Sequence, residues 1–337
     1  MTSIGLDQRL VAAAKTGDAA AFSALVERHR AELQVHAYRM LGSLEDAQDA
    51  VQDALLRAWR SRETYDGRST FRAWLYRITT NACLRILERR PRRLLPYEAG
   101  PAAELGGRPV PPADLPWLQP YPDLLIDESP EPDDAVVTRE TIELAFLAAI
   151  QHLPPRQRAV LILRDALDWP ADDTAAVLEM SPAAVNSALQ RARATMKERL
   201  PAARLEWDAT ADAEDAERSL LQTYVEAFER HDDRRLVALL REDVRLAMPP
   251  HPTWYAGREA VAAFLAGVAF APGSAPHRLV PTRANRHPAF GVYRGHGPNA
   301  RPFAINVVQI ESGLVAEMHF FKYTELFPAF GLPGTLG

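Results

Sequence analysis

Cysteine is nearly absent. Cys83 stands alone in 337 residues, which excludes intramolecular disulfides and cysteine-built zinc sites. The nine histidines show no HExxH spacing, so no metal and no cofactor is expected. No apolar run approaches the roughly 20 residues of a membrane span. The first residues, Met1-Thr2-Ser3-Ile4-Gly5-Leu6-Asp7, carry no basic run ahead of an apolar one, so no secretory leader is expected. These absences predict a soluble cytoplasmic protein without a membrane partner. No internal repeat is evident. Acids are scarce in a strongly basic stretch: "FRAWLYRITTNACLRILERRPRR" (71–93) holds Glu88 against seven arginines, with Arg68 just before. Arginines that merely solvate a helix are usually balanced by acids four residues away. Their absence here points to an anionic partner.

What is present is globular. The chain is 47% hydrophobic and 25% charged, which rules out wholesale disorder, and its length suits two or three domains. The net charge of −5 conceals a segregation. Residues 18–53 carry three basic and seven acidic side chains, whereas 54–93 carry eleven and three. An acidic face followed by a basic one suggests two partners for one small domain.

Residues 6–93 have apolar positions three and four apart, including Phe22, Leu25, Val26, Leu33, Ala37, Met40, Val51 and Leu55, and predict three or four helices. Gly17-Asp18, Gly42-Ser43 and Asp66-Gly67 punctuate them. Residues 91–132 hold eleven prolines, and 96–140 are net −8. Proline removes an amide donor and restricts its predecessor, so an extended linker without helix or strand is expected. Within it, "LPWLQPYPDLL" (115–125) carries Trp117, Leu118 and Tyr121, either docked on a surface or incidentally apolar. Helical periodicity resumes over 136–200. Residues 214–337 open with two helices (216–231 and 233–242). A strand (243–249), a helix after Gly257, and runs of β character follow, which predicts an α+β domain with a curved antiparallel sheet.

Two motifs carry chemistry. On a helix over 69–90, Phe71, Leu75, Ile78, Ala82 and Ile86 form a core stripe. Arg72, Tyr76, Thr79, Thr80, Cys83 and Arg90 lie on one flank, and Arg77 and Asn81 on the other. Aromatics among arginines suit unpaired nucleic acid, where stacking is worth about 1–3 kcal/mol per base. In "DWPADDTAAVLEMSPAAVNSALQRARATMKERL" (168–200), Pro170 opens a helix to about Leu178, and Ser181-Pro182 restarts one. That is helix-turn-helix spacing. Val185, Leu189, Ala192 and Met196 face inward. Ala183, Asn186, Ser187, Gln190, Arg191 and Lys197 face out, small and amide groups for base edges and cations for phosphates. Glu179-Met180, where glycine is common, is expected to extend the first helix slightly.

One part suited to unpaired strand and one suited to duplex resemble the extracytoplasmic-function sigma factors of bacterial RNA polymerase. The variety is that with a fused SnoaL-like C-terminal domain (sigma G or sigma J type). "DAQDAVQDALLRAWR" (46–60) resembles region 2.2, so Asp46, Asp49, Gln52, Asp53 and Arg57 are implied to bind core polymerase. "RETYDGRSTFRAWLYRITTNACL" (62–84) resembles regions 2.3 and 2.4. Arg68, Phe71, Arg72, Trp74, Tyr76, Arg77, Asn81 and Arg85 are therefore implied to open and hold the −10 element. "LPPRQRAVLILRDALDWPADDTAAVLEMSPAAVNSALQRARATM" (153–196) resembles region 4, which places Ala183, Asn186, Ser187, Gln190, Arg191 and Lys197 on the −35 element. Arg85 stands where many relatives have aspartate, and Pro170 and Glu179 depart from the usual Ser and Gly.

The resemblance implies two all-α sigma domains, 1–95 and 136–203. They are joined by a Pro-rich acidic linker, 96–135, and followed by a SnoaL/NTF2-like α+β cone over 212–337. The implied partners are the core enzyme, at its β′ clamp helices and β flap, and promoter DNA, with no catalytic residue. A cone of this kind admits either regulation, with or without an unknown small-molecule ligand, or catalysis. Asp243, Glu317, His251, His287 and His319 are the catalytic candidates, and nothing marks them as paired. A one-component DNA-binding regulator is the remaining alternative, though it leaves 46–60 unexplained. Trp117, Leu118 and Tyr121 are expected to be gripped by the cone as an interdomain regulatory contact, in place of a separate inhibitor.

Overall fold

The structure is a computed structural model and describes residues 3–127, 139–200 and 211–336. The chain forms two compact units, one of 1–93 with 124–202 and one of 94–123 with 203–337.

The first unit opens with α1 (Ser3–Lys15), α2 (Ala19–Leu41), α3 (Leu44–Arg60) and α4 (Phe71–Leu87). Their ends fall at the punctuation read from the sequence. Asp18 accepts the amides of Ala20 and Ala21 at 2.9 and 3.1 Å, and Ser43 and Thr70 cap α3 and α4 in the same way. Gly42 ends α2 at φ 67°, a left-handed conformation open to glycine at little cost. Leu33, Ala37, Met40, Ala47, Ala54, Ala58, Leu75 and Ala82 are buried between these helices.

After α5 (Pro96–Ala99), which belongs to the second unit, the first unit resumes with α6 (Leu124–Asp127), α7 (Leu144–Ile150) and α8 (Pro155–Leu161). A π-turn, Ile162–Ala166, continues α8, and α9 (Ala171–Leu178) and α10 (Pro182–Arg199) complete the unit. Glu179 does not extend α9. It adopts φ 54°, the left-handed cap that glycine usually supplies, and Ser181 then caps α10 through the Ala184 amide at 3.2 Å.

The two helical parts pack into one body. Arg158 is nearly wholly buried and donates to the Met40 carbonyl of α2 and to Gln151 Oε1 at 2.8 Å. Burial brings its pKa down to about 10, so it stays charged at neutral pH on carbonyl partners. Arg39 donates to Thr141 at 2.7 Å, also buried.

The second unit holds α11 (Ala211–Glu229), α12 (Asp233–Val237), β1 (Leu240–Ala247), β2 (Trp254–Ala256), α13 (Arg258–Phe264), β3 (His277–Ala284), β4 (His287–Arg294), β5 (Arg301–Glu311) and β6 (Leu314–Phe321). The strand order is β2-β1-β6-β5-β4-β3. The expected antiparallel sheet is mixed, because β1 runs parallel to β6, with Leu246 opposite Met318. The expected helix over 233–242 stops at Val237. The chain from Leu240 is taken into the sheet instead, a tertiary override of helical propensity.

Residues alternate between the two sheet faces. On one face Tyr224, Phe228, Leu246, Phe290, Val308, Met318 and Phe320 form a closed core. Asn306 donates to the Tyr224 hydroxyl at 2.6 Å, and Tyr224 and Phe290 stack 5.9 Å apart. The other face is covered by the C-terminal turn, Thr324–Phe330, and by Leu332. A side chain at Gly291 would stand 2.6 Å from a methyl group of Leu332, so any larger residue there has to displace that leucine.

Candidate nucleic-acid interface and the docked linker

The exposed and buried rows expected of the second helix of the helix-turn-helix are found on α10. Ala183, Asn186, Ser187, Gln190, Arg191 and Lys197 are all exposed on α10, while Val185, Leu189, Ala192 and Met196 are buried. The exposed row runs from small and amide groups at the capped start to cations near the end, an arrangement able to read base edges and hold phosphates.

Helix α4 departs from expectation. Arg77 is exposed, as is Arg68 in the preceding turn, and Phe71, Arg72, Asn81 and Arg85 are half-buried. Trp74 and Tyr76 are buried, together with Thr79, Thr80 and Cys83. The reason is that α4 packs on two sides, against α2 and α3 and against α8 and α9. Trp74 is held in a cluster with Tyr65 and Phe71, at 5.4 and 5.5 Å between ring centroids. Tyr76 lies 4.9 Å from the Trp169 ring, and the Arg72 guanidinium sits over both rings at 5.4 and 5.6 Å. The residue that occupies this stacking surface therefore comes from the helix-turn-helix part itself.

A half-buried polar network supports that contact. Glu32 bonds Arg72 Nε at 2.8 Å, the Tyr76 hydroxyl at 3.1 Å and His29 at 2.5 Å. Burial alone raises the Glu32 pKa, but the bonds to His29 and Arg72 outweigh it and hold the carboxyl below its usual range. His36 is wholly buried and bonds Thr80 at 2.9 Å. Burial first, and the charge of Arg39 next, bring its pKa down to about 3.

The acidic side of α3 is partly spent internally. Asp49, Gln52 and Arg57 are exposed. Asp46 is instead bound by Arg90 and Arg93, and Asp53 pairs with Arg57 at 2.7 Å and Arg85 at 3.7 Å. The end of the basic block thus folds back on the acids that precede it.

The linker expectation needs the largest correction. Residues 94–123 do not hang free but form part of the second unit. The Leu94 amide donates to the Pro116 carbonyl at 2.8 Å, and the Leu118 amide donates to Leu94 at 2.9 Å, so the segment returns beside its own start. In between, Ala103, Val110 and Ala113 bond the 250–254 stretch, and Pro96 sits at the first helical position of α5, where its missing amide costs nothing. Trp117, Leu118 and Tyr121 are 3%, 0% and 0% exposed. Tyr121 and Asn285 exchange two bonds of 2.9 Å, and Asp123 takes the Arg286 amide at 2.8 Å and pairs with Arg283 at 3.3 Å. The acidic run at 128–138 lies outside the described residues.

Of the catalytic candidates, Glu317 and His319 are paired after all, at 2.7 Å, two apart on β6. Arg245 also binds Glu317, and Tyr97 of α5 lies over Arg245 at 4.6 Å and beside His319 at 6.4 Å. This pair lies on the sheet face opposite Met318 and Phe320, and His319 is 1% exposed. Asp243 is exposed and bound to Arg241 at 2.7 Å, and His251 bonds the linker carbonyl of Val110 at 2.7 Å. A groove of about 700 Å³ runs past Ala103, Leu105, Val237, Glu242 and Arg258, and Ala103 and Val237 in its wall pack against the closed core.

A helical domain with an acid-then-basic helix pair, a helix-turn-helix and a cone together define a sigma-type transcription factor. Residues 25–93 match the Sigma-70 region 2 family, 143–196 the Sigma-70 region 4 family, and 221–318 the SnoaL-like domain family. The chain is 43% identical over 320 residues to the ECF RNA polymerase sigma factor SigG of Mycobacterium tuberculosis, covering 94% of this chain and 85% of that protein. It is 32% identical over 187 residues to the RNA polymerase sigma-H factor of Pseudomonas aeruginosa, covering 56% and 90% respectively. The crystal structure of the M. tuberculosis sigma factor SigJ shares its fold, with a TM-score of 0.57 at 20% identity over 92% of this chain and 99% of that one. The chain belongs to the ECF RNA polymerase sigma factors, with a fused SnoaL-like domain. Its sigma regions serve promoter-directed initiation of transcription through core polymerase and promoter DNA. No helix among the described residues is long and apolar enough to cross a membrane.

Proposed function

We propose that the cone domain controls this sigma factor in cis by storing the interdomain linker, and that it does no chemistry. The observation that carries the reading is the docked segment 94–123, closed on itself at Leu94 and Leu118. Elements named −10 and −35 lie about 25 base pairs apart, or about 85 Å of duplex. Fully extended, 94–123 supplies up to about 100 Å of reach. Docked, only the five residues after Leu118 separate its two ends, at most about 18 Å. Stored linker keeps the DNA-reading domains together, and released linker lets them part. Polymerase or a ligand need only favour the released state.

In the released form α10 reads the −35 element through Asn186, Ser187, Gln190 and Arg191. Helix α4 holds the opened −10 strand through Arg68, Arg72 and Arg77, with Phe71, Trp74 and Tyr76 uncovered in part as Trp169 withdraws. Asp49, Gln52 and Arg57 meet the β′ clamp helices, and region 4 meets the β flap, in the cytoplasm. The closed aromatic core and the capping of Glu317–His319 by Tyr97 favour a regulatory cone over a catalytic one. Leu118→Ala tests the storage reading. Truncating a fully buried leucine costs about 2–5 kcal/mol, so hydrogen exchange at the Leu94, Leu118 and Asn285 amides should speed at least tenfold. Unchanged protection at all three contradicts it.

A further inference from the structure

One cluster of charge is used by none of these contacts. At the end of the sheet where β3 begins and β4 and β6 finish, basic groups gather around one aromatic ring. The Arg294 guanidinium lies 5.5 Å and the Lys322 ammonium 5.0 Å from the centre of the Phe303 ring. His277 stands 6.1 Å from the same ring and is bonded at 2.9 Å to His231, which stacks on Phe270 at 4.7 Å. Among the described residues no carboxylate pairs with Arg294 or Lys322. The acid on the adjoining helix, Glu229, is already taken by Arg278 at 3.1 Å and the Leu279 amide at 2.9 Å.

Burial, and after it the neighbouring positive charge, depresses three of these groups. Burial, then His231 and Arg294, bring His277 down to about 4. Burial and Arg294 lower both His231 and Lys322. Cations brought together without an acid, beside half-exposed Phe303 and Phe270, are arranged for a guest that carries the missing charge. Beneath them Phe228, Phe290 and Phe320 are buried and close the interior, so the guest lies at the rim.

We infer that this rim binds a small anion, a carboxylate or phosphate on a flat apolar body, with the charge between Arg294 and Lys322 and the body against Phe303 and Phe270. The site requires only the cone and goes beyond the storage of the linker. It is also placed to influence it. Lys322 donates to His251 Nε2 at 3.3 Å, and His251 Nδ1 donates to the Val110 carbonyl of the linker at 2.7 Å. A guest that draws Lys322 away loosens that chain.

The test is calorimetric titration of the full chain with benzoate, phenyl phosphate and inorganic phosphate, at neutral and mildly acid pH. Benzoate or phenyl phosphate should bind in the millimolar range or tighter. Arg294→Gln and Lys322→Gln, which leave the packed interior untouched, should each weaken that binding roughly tenfold, with Lys322→Arg retaining it. A bound anion raises the pKa of His231 and His277, so protons are taken up and affinity should rise as the pH falls. Arg294, Lys322, Arg278, Glu229 and His251 are the other charged and titratable groups around this end of the sheet. Absence of binding at about 10 mM of every probe, or binding indifferent to both Gln variants, overturns the site. Equal affinity for inorganic phosphate overturns its aromatic half. Heat reads this site and hydrogen exchange reads the linker, so either reading can fail without the other.

Discussion

Replacing Trp169 by alanine should make region 2 a better binder of single-stranded −10 DNA while making the protein less stable. Trp169 is 7% exposed, with its ring 4.9 Å from Tyr76 and 5.6 Å from the Arg72 guanidinium. A buried tryptophan cut to alanine costs about 3–5 kcal/mol. Of this, the ring pair contributes about 0.5–1.5 and the cation–π contact about 0.5–1. That loss falls on the contact between α4 and the helix-turn-helix part, which the bound strand must displace. An affinity reduced by the population of the competent state recovers as the contact weakens. A release of about 1–2.5 kcal/mol corresponds to about five- to seventyfold tighter binding. Fluorescence anisotropy with a labelled −10 oligonucleotide measures it, and circular dichroism confirms that the variant is folded. A folded Trp169→Ala protein that binds the strand no better than wild type refutes the idea that this tryptophan occupies the strand surface.

Acid should destabilise the first unit through His36. Its folded pKa, about 3, lies below the ordinary 6.5, so its contribution is fully present above pH 6.5 and is lost as the pH falls toward 3. The loss reaches about 2 kcal/mol by pH 5, and urea titrations of His36→Leu should show a flatter pH dependence over that window. On DNA, Gln190→Ala should cost roughly 1–3 kcal/mol at one −35 position, while Lys197→Ala should weaken all sequences alike and reduce the salt slope. Competition binding across promoter variants separates the two, and intact base preferences in Gln190→Ala contradict the phasing of α10. Asp49→Arg, at an exposed acid that pairs with no cation among the described residues, should lower recovery of core polymerase in a pull-down by tenfold or more, whereas unchanged recovery moves the core contact off α3.

The helices of the first unit were legible because their punctuation is local: Asp18, Gly42, Ser43, Thr70 and Ser181 act within four residues of themselves. The outward face of α10 was legible for the same reason, since an end helix buries one stripe. Helix α4 was not, because a helix packed on two sides hides residues that a single-stripe reading exposes, Trp74 and Tyr76 among them. Proline content hid the fold of 94–123 because that fold is held by partners far along the chain, such as Asn285 and Trp254. The parallel pairing of β1 with β6 and the meeting of Glu317 with Arg245 are likewise long-range, invisible to alternation along one strand. Glu317 and His319, two apart in a β run, could have been paired from spacing alone.

The central claim is that the cone stores the linker in the free protein and gives it up to polymerase. Hydrogen exchange followed by mass spectrometry, comparing the free chain with the same chain bound to core enzyme and a promoter, tests it most directly. The account predicts that the amides of Leu94, Leu118 and Asn285, protected in the free chain by their bonds to Pro116, Leu94 and Tyr121, exchange freely in the open complex. Persistent protection of all three in a complex that is making transcript contradicts it.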